Sequence, residues 1–278
     1  MNRFTFYTIC LLMMMQYTFA AAGESRSVLL NYDILSQGKH VGDVTTKISQ
    51  QETRHVIIER SHIKASGWLW KIDVTTVLSE EFINGNKLTN ADGKTFEEGA
   101  AHWTTMKLQE DDFQMQYIKI PKTSSDEEKI FASLSAEAAS GASLNTDKIL
   151  SLSESVFSTS KEASEEWLIS KRSFDTTWNN LPFYIQLRAE TSIPETLNIL
   201  DSENLEIDRF AVKNIGKETM KIGTEQVSAH HLIFTTGKSN TSHIWINSEN
   251  NSIPFVVRHT GKDEDGAFEI KLKSIVFH

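Results

Sequence analysis

Residues 225–235 read Glu225-Gln226-Val227-Ser228-Ala229-His230-His231-Leu232-Ile233-Phe234-Thr235. Strand side chains have a period of two, so Val227, Ala229, His231 and Ile233 face one way and Ser228, His230, Leu232 and Phe234 the other. The segments 209–214, 219–222, 241–247, 254–259 and 267–277 read as further short strands. Between them stand Ile215-Gly216, Ile222-Gly223, Thr236-Gly237-Lys238 and the stretches 248–252 and 261–266. Gly and Asn accept the positive φ that tight hairpins need. Loops this short join antiparallel neighbours. Residues 205–277 are therefore expected to form a β-meander, with one face to bury and the rest of the chain to cover it.

Toward the N-terminus the same pattern continues. Residues 28–34 and 41–49 flank the turn Ser36-Gln37-Gly38-Lys39, and 55–64 follows. The run 68–78 sets Trp68, Trp70, Ile72, Val74 and Thr76 on one face. Asn84-Gly85 is a strong type I′ hairpin signal. Asp92-Gly93-Lys94 marks another turn, and 101–108 and 113–120 extend the series. Composition then changes. Residues 124–173 are rich in Ser, Ala, Glu and Lys, and their apolar residues fall at helical spacing: Ile130, Leu134, Ala138; Ile149, Leu152, Val156; Ala163, Trp167. Ser125-Asp126 and Asn145-Thr146 fit N-caps. Two or three amphipathic helices are expected here. The alternative is a Ser/Ala-rich linker, against which Trp167, Leu168 and Ile169 count. Residues 174–180 read as a loop into 181–190, and 197–200 leads to the meander.

The chain has 278 residues, 39% hydrophobic and 23% charged, an ordinary composition with enough apolar residues for one large domain. A formal charge of −9 gives no reason to expect nucleic acid or anionic headgroups as the main partner. Arg3, an apolar run over 4–15 and the small residues of Ala20-Ala21-Ala22-Gly23 come in the order of a secretory signal peptide, cut near Ala20 or Ala22. An uncleaved anchor over 4–22 is the competing reading. The only cysteine, Cys10, lies inside that segment. Mature protein without disulfides fits a bacterial periplasm better than a eukaryotic secretory route. The expected organisation is a signal peptide at 1–22 and one β-rich domain at 23–278 with a helical insertion at about 124–173.

Enzyme motifs are mostly absent: no Gly-x-Ser-x-Gly elbow, phosphate loop, His-Glu-x-x-His or dinucleotide fingerprint. His230 and His231 are adjacent, so in a strand they face opposite ways; His243 and His259 lie on neighbouring strands and could approach either. A metal site needs three or four convergent ligands, and none is expected. Glu97-Glu98, Asp111-Asp112 and Asp263-Glu264-Asp265-Gly266 sit beside turns and read as solvated charge. Six tryptophans are scattered over the chain. They serve either as large core fillers or as the lining of an apolar cavity.

Leu30-Asn31-Tyr32-Asp33-Ile34-Leu35-x-x-Gly38-x-x-x-Gly42 resembles the opening hairpin of a family of secreted bacterial proteins of unknown function. Glu80-Glu81-Phe82-Ile83-Asn84-Gly85-Asn86-Lys87-Leu88, Asn90-Ala91-Asp92-Gly93-Lys94, Ile215-Gly216-Lys217-Glu218 and Trp245-Ile246-Asn247 continue the likeness. The resemblance implies a mainly β (α+β) fold, a strongly curved antiparallel half-barrel similar in outline to periplasmic lipoprotein carriers. It implies no catalytic residues and no cofactor. The expected function is non-enzymatic: binding an apolar ligand, a lipid or acylated peptide, in the cell envelope, with Trp68, Trp70, Trp103 and Trp245 as lining. The alternative is an assembly factor that contacts an envelope protein through a sheet edge or the helical insertion. No nucleic-acid partner and no membrane span after signal cleavage are expected.

Overall fold

The computed structural model describes residues 26–66, 71–97, 100–121, 164–188, 192–237, 240–247, 252–263 and 266–278. The expected signal peptide, Trp68, Trp70 and residues 124–163 of the expected helical insertion lie outside the described residues. In chain order the strands are β1 (Arg26–Ser36), β2 (Lys39–Gln51), β3 (Arg54–Ser66), β4 (Lys71–Ile83), β5 (Lys87–Glu97), β6 (Ala100–Gln109), β7 (Asp112–Pro121), β8 (Ser164–Ser170) and β9 (Thr176–Thr177). Helix α1 (Leu181–Arg188) follows, and then β10 (Thr196–Asp201), β11 (Glu206–Ile222), β12 (Glu225–Thr236), β13 (Asn240–Asn247), β14 (Val256–Asp263) and β15 (Gly266–Phe277).

Among the described residues, fifteen strands form one sheet, ordered β8-β7-β6-β5-β4-β3-β2-β1-β15-β14-β13-β12-β11-β10-β9. It is two meanders joined by an antiparallel β1–β15 ladder that runs from Val28↔Phe277 to Ser36↔Phe268. Two hairpin turns carry the expected signatures, whereas the expected turns at Asp92-Gly93-Lys94 and Ile215-Gly216 lie inside β5 and β11. Asn84 and Gly85 have φ of 52° and 81°, and Gln37 and Gly38 of 50° and 77°, the paired positive values of a type I′ turn.

The expected half-barrel is not what the strands form. The sheet ends at β8 on one side and at β9 on the other, remains open, and is not strongly curled. Alternation fixes which face of each strand is buried and says nothing about how far a sheet coils. The helical insertion is also corrected where it is described. Ser164–Ser170 is a strand, paired antiparallel to β7 from Ile118↔Ser164 to Asp112↔Ser170. The open edge of β7 overrides the helical spacing of Ala163 and Trp167, a tertiary effect that local pattern does not contain.

The register lays out the core face. One row runs Val28, Ile48, Ile57, Glu80, Ala91, Met106, Met115 across β1 to β7, buried throughout. The next runs Leu30, Thr46, Glu59, Leu78, Gly93, Thr104. On the other meander Ile34, Ile270, His259, Ile244 and Leu232 form a row on the same face.

Helix α1, the residues just before it and the β10–β11 turn lie against that face. Helix α1 starts at Asn180, a favoured N-cap type. The amide of Asn180 donates to Thr177 Oγ1, and its carbonyl accepts from the Tyr184 amide at 3.1 Å. Pro182 falls in the first turn, where its missing N–H leaves no gap. Leu181, Pro182, Phe183, Tyr184 and Ile185 are buried. Phe183 stacks on His55 of β3 with centroids 3.8 Å apart, and His55 Nε2 meets Asn180 Oδ1 at 2.8 Å. The β10–β11 turn reaches farther: Ser202 Oγ donates to Glu80 Oε1, and Glu203 Oε1 accepts from Thr76 and Thr95, both at 2.9 Å. Among the described residues no helix is long and apolar enough to cross a membrane.

Candidate functional site

A cavity of about 290 Å³ lies between the core face of the sheet and the start of α1. Strands β1 to β3 contribute Leu30, Tyr32, Val44, Thr46, Ile48 and Glu59, and the segment before and into the helix contributes Trp178, Asn179, Leu181 and Pro182. The second meander closes it with Ile244, Phe255, Val256, His259 and Ile270. Leu30, Thr46 and Glu59 are one cross-strand row, and Ile270, His259 and Ile244 another, so the register alone assembles most of the walls.

The walls are mainly hydrocarbon, and the polar groups on them are few. Tyr32 donates its hydroxyl proton to the Val256 carbonyl at 2.9 Å, and burial raises its pKa. Thr46 Oγ1 donates to Glu59 Oε2 at 3.3 Å. Burial pushes the Glu59 carboxyl up to about 7, against the hydrogen bond from Thr46 and with a further rise from the charge of Glu203. The half-buried Glu59 side chain lines the cavity. His259 Nε2 is buried and has no hydrogen-bond partner. The ring is stacked near Trp178 and edge-on to Phe268, and burial lowers its pKa to about 4, so it is neutral near pH 7.

The expected lining residues fall elsewhere or outside the description. Trp68 and Trp70 are not among the described residues. Trp103 shares a row with Asn31, Thr45, Arg60, Val77 and Lys94, on the face opposite the cavity, and its Nε1 donates to Asp92 Oδ2 at 2.8 Å. Trp245 shares a row with Arg258, Lys271 and Asp33, also opposite the cavity. Its Nε1 donates to Glu218 Oε2 at 2.9 Å, and Arg258 lies over its ring. Among the described residues, the tryptophan on the cavity wall is Trp178, which the sequence placed in a loop with no pattern to single it out.

The histidines divide by face as strand parity requires. His231 Nε2 and His243 Nδ1 meet at 2.9 Å, with His231 Nδ1 on Glu218 Oε1 at 2.7 Å, all on the Trp245 face. His259 lies on the cavity face and does not join them. Glu218 is held below the usual carboxylate range by its hydrogen bonds from Trp245 and His231. Asp33, His40 and Asp43 form a further group with ligand atoms within 4.8 Å of one another. It is half-buried to exposed, and Lys273 Nζ already sits 3.1 Å from Asp33. Asp111 pairs with Lys171, and Glu97 with His102, as solvated turn residues do.

No family model, curated protein or solved structure matches this chain. The resemblance to the secreted half-barrel family is therefore withdrawn, and the carrier-like fold and envelope role it implied go with it. The expected ligand is corrected as well. A lipid or acylated peptide in a curved-sheet cavity lacks the curved sheet. The assembly-factor alternative loses the described part of its helical contact surface, since Ser164–Ser170 is a strand.

Proposed function

We propose that the protein is a non-enzymatic binding protein for a compact small molecule that is apolar over most of its surface and carries hydrogen-bonding groups. The molecule sits between the core face of the sheet and residues 178–182. The observation that carries this reading is His259, a lining residue whose buried Nε2 has no hydrogen-bond partner. Native structures pair the large majority of buried polar atoms, and an unpaired one costs about 1–3 kcal/mol. A ligand group reaching His259 would remove that cost. The size agrees: about 290 Å³ is at the lower edge of the roughly 300–1,000 Å³ usual for ligand pockets. So does the lining, hydrocarbon with a few placed polar groups.

Both wall hydroxyls already have an acceptor, Tyr32 in the Val256 carbonyl and Thr46 in Glu59. The test is to fill the cavity. In Val44→Trp the indole should occupy the space, and small molecules that raise the melting temperature of wild type in a fragment screen should no longer shift the variant. Fragments that stabilise both proteins equally would place binding elsewhere and end this reading.

A further inference from the structure

We propose that the cavity takes a cation: a compact primary or secondary amine with an apolar body, its nitrogen held by the Glu59 carboxylate. This rests on the reading of the cavity as a binding site. Among the described residues, Glu59 is the one carboxyl on the walls, and no Lys or Arg lines them. Its hydrogen bond from Thr46, at 3.3 Å, is long, and it engages only Oε2. The charge acting on it from nearby is that of Glu203, a second carboxylate that deepens the negative potential. His259, held neutral by burial, supplies no compensating charge.

A carboxyl kept on an apolar wall without a cation is costly, because burial penalises the ionised form. Three kinds of occupant can be compared. An anion would meet Glu59 and the field of Glu203. A neutral apolar molecule would leave Glu59 to take up a proton. An ammonium group would make a charge-assisted hydrogen bond in a water-poor site, where such bonds are strongest. The aromatic wall adds to this, since the faces of indole rings attract cations and Trp178 lies on the lining. Leu30, Val44, Ile48, Ile244 and Ile270 then receive the hydrocarbon body.

The experiment is calorimetric titration of the full chain at pH 8 with phenethylamine and with phenethyl alcohol, its neutral counterpart of similar size. Wild type should bind the amine about tenfold or more tightly than the alcohol, as a charge-assisted bond in a buried site implies. Glu59→Gln should lose that preference and keep its affinity for the alcohol, which also shows that the variant is folded. Glu59→Asp should keep the preference. Equal affinity of wild type for both compounds, or an amine preference that survives Glu59→Gln, overturns the amine inference and leaves the cavity reading standing. If wild type binds neither compound, the cavity reading falls and takes the amine inference with it.

Discussion

Glu80 shows how a single buried carboxyl can set the pH response of a fold. It lies in the core row between Ile57 and Ala91 and is 1% exposed. Ser202 Oγ donates to one of its oxygens, and Thr177 Oγ1 donates to the other at 3.0 Å. Burial nevertheless pushes its pKa from 4.5 up to about 7, because the two hydroxyls do not offset the loss of water. A folded-state pKa above the unfolded one means that the native state holds its proton longer. The contribution of Glu80 to stability is thus full below pH 4.5 and is lost as pH rises through about 7. The loss is on the order of 3 kcal/mol at 1.36 kcal/mol per pKa unit. Glu80→Gln keeps the shape and removes the titration. Urea midpoints measured at pH 5 and pH 8 should show the variant gaining on wild type by up to about that amount at the higher pH. Parallel behaviour of the two proteins would mean that Glu80 is ionised in the fold at both values.

Helix α1 is the element on which the cavity depends, and it was the least legible part of the chain. Its eight residues are too few to show a helical period, and Pro182 reads as a breaker until Asn180 is known to cap the helix. The strands were legible because each buries one face, so alternation in β1, β2 and β12 could be read directly. Asn84-Gly85 was legible because few residue pairs tolerate two positive φ values in succession. Strand β8 was misread since Trp167-Leu168-Ile169 suits a helix or a strand equally, and only the β7 edge decides between them. The cavity was not legible at all. Glu59, Trp178 and His259 are far apart in sequence and meet only through sheet register and the docking of α1. That docking rests on Phe183 against His55, which stacks on Phe82 in turn with centroids 5.0 Å apart. Phe183→Ala should cost about 3–5 kcal/mol, as truncation of a buried Phe does. It should also increase amide exchange across Leu181–Arg188 more than in β1 or β15. A uniform rise in exchange throughout the sheet would show that α1 is not a separately docked element.

At the scale of the molecule, the two meanders could behave as one cooperative unit or as two. A chain of this length often populates intermediates, and β10 to β13 have a cluster of their own with α1, built on Leu181, Ile185, Leu197, Phe210, Leu232 and Ile244. Three features tie the halves together. The larger cluster takes Phe82, Met106 and Phe113 from one meander and Val227, Trp245 and Phe255 from the other. The β1–β15 ladder joins them from Val28↔Phe277 to Ser36↔Phe268. Ser202 and Thr177, which flank α1 in the chain, are both bonded to Glu80 of β4. Opening either half would expose the shared cluster and strip the hydroxyls of Ser202 and Thr177 from a buried carboxyl, so partial unfolding gains little entropy for a large loss of contacts. A single transition is the expected result. Trp103 reports on the β5–β6 side, where its indole N–H is held by Asp92, and Trp245 on the β13 side, where its own is held by Glu218. In a Trp103→Phe variant and a Trp245→Phe variant, the change in tryptophan fluorescence lost from wild type should follow the same urea dependence as the loss of far-ultraviolet circular dichroism. Midpoints that separate by probe would mean that the β10–β13 cluster and α1 melt on their own, and that the cavity opens before the sheet unfolds.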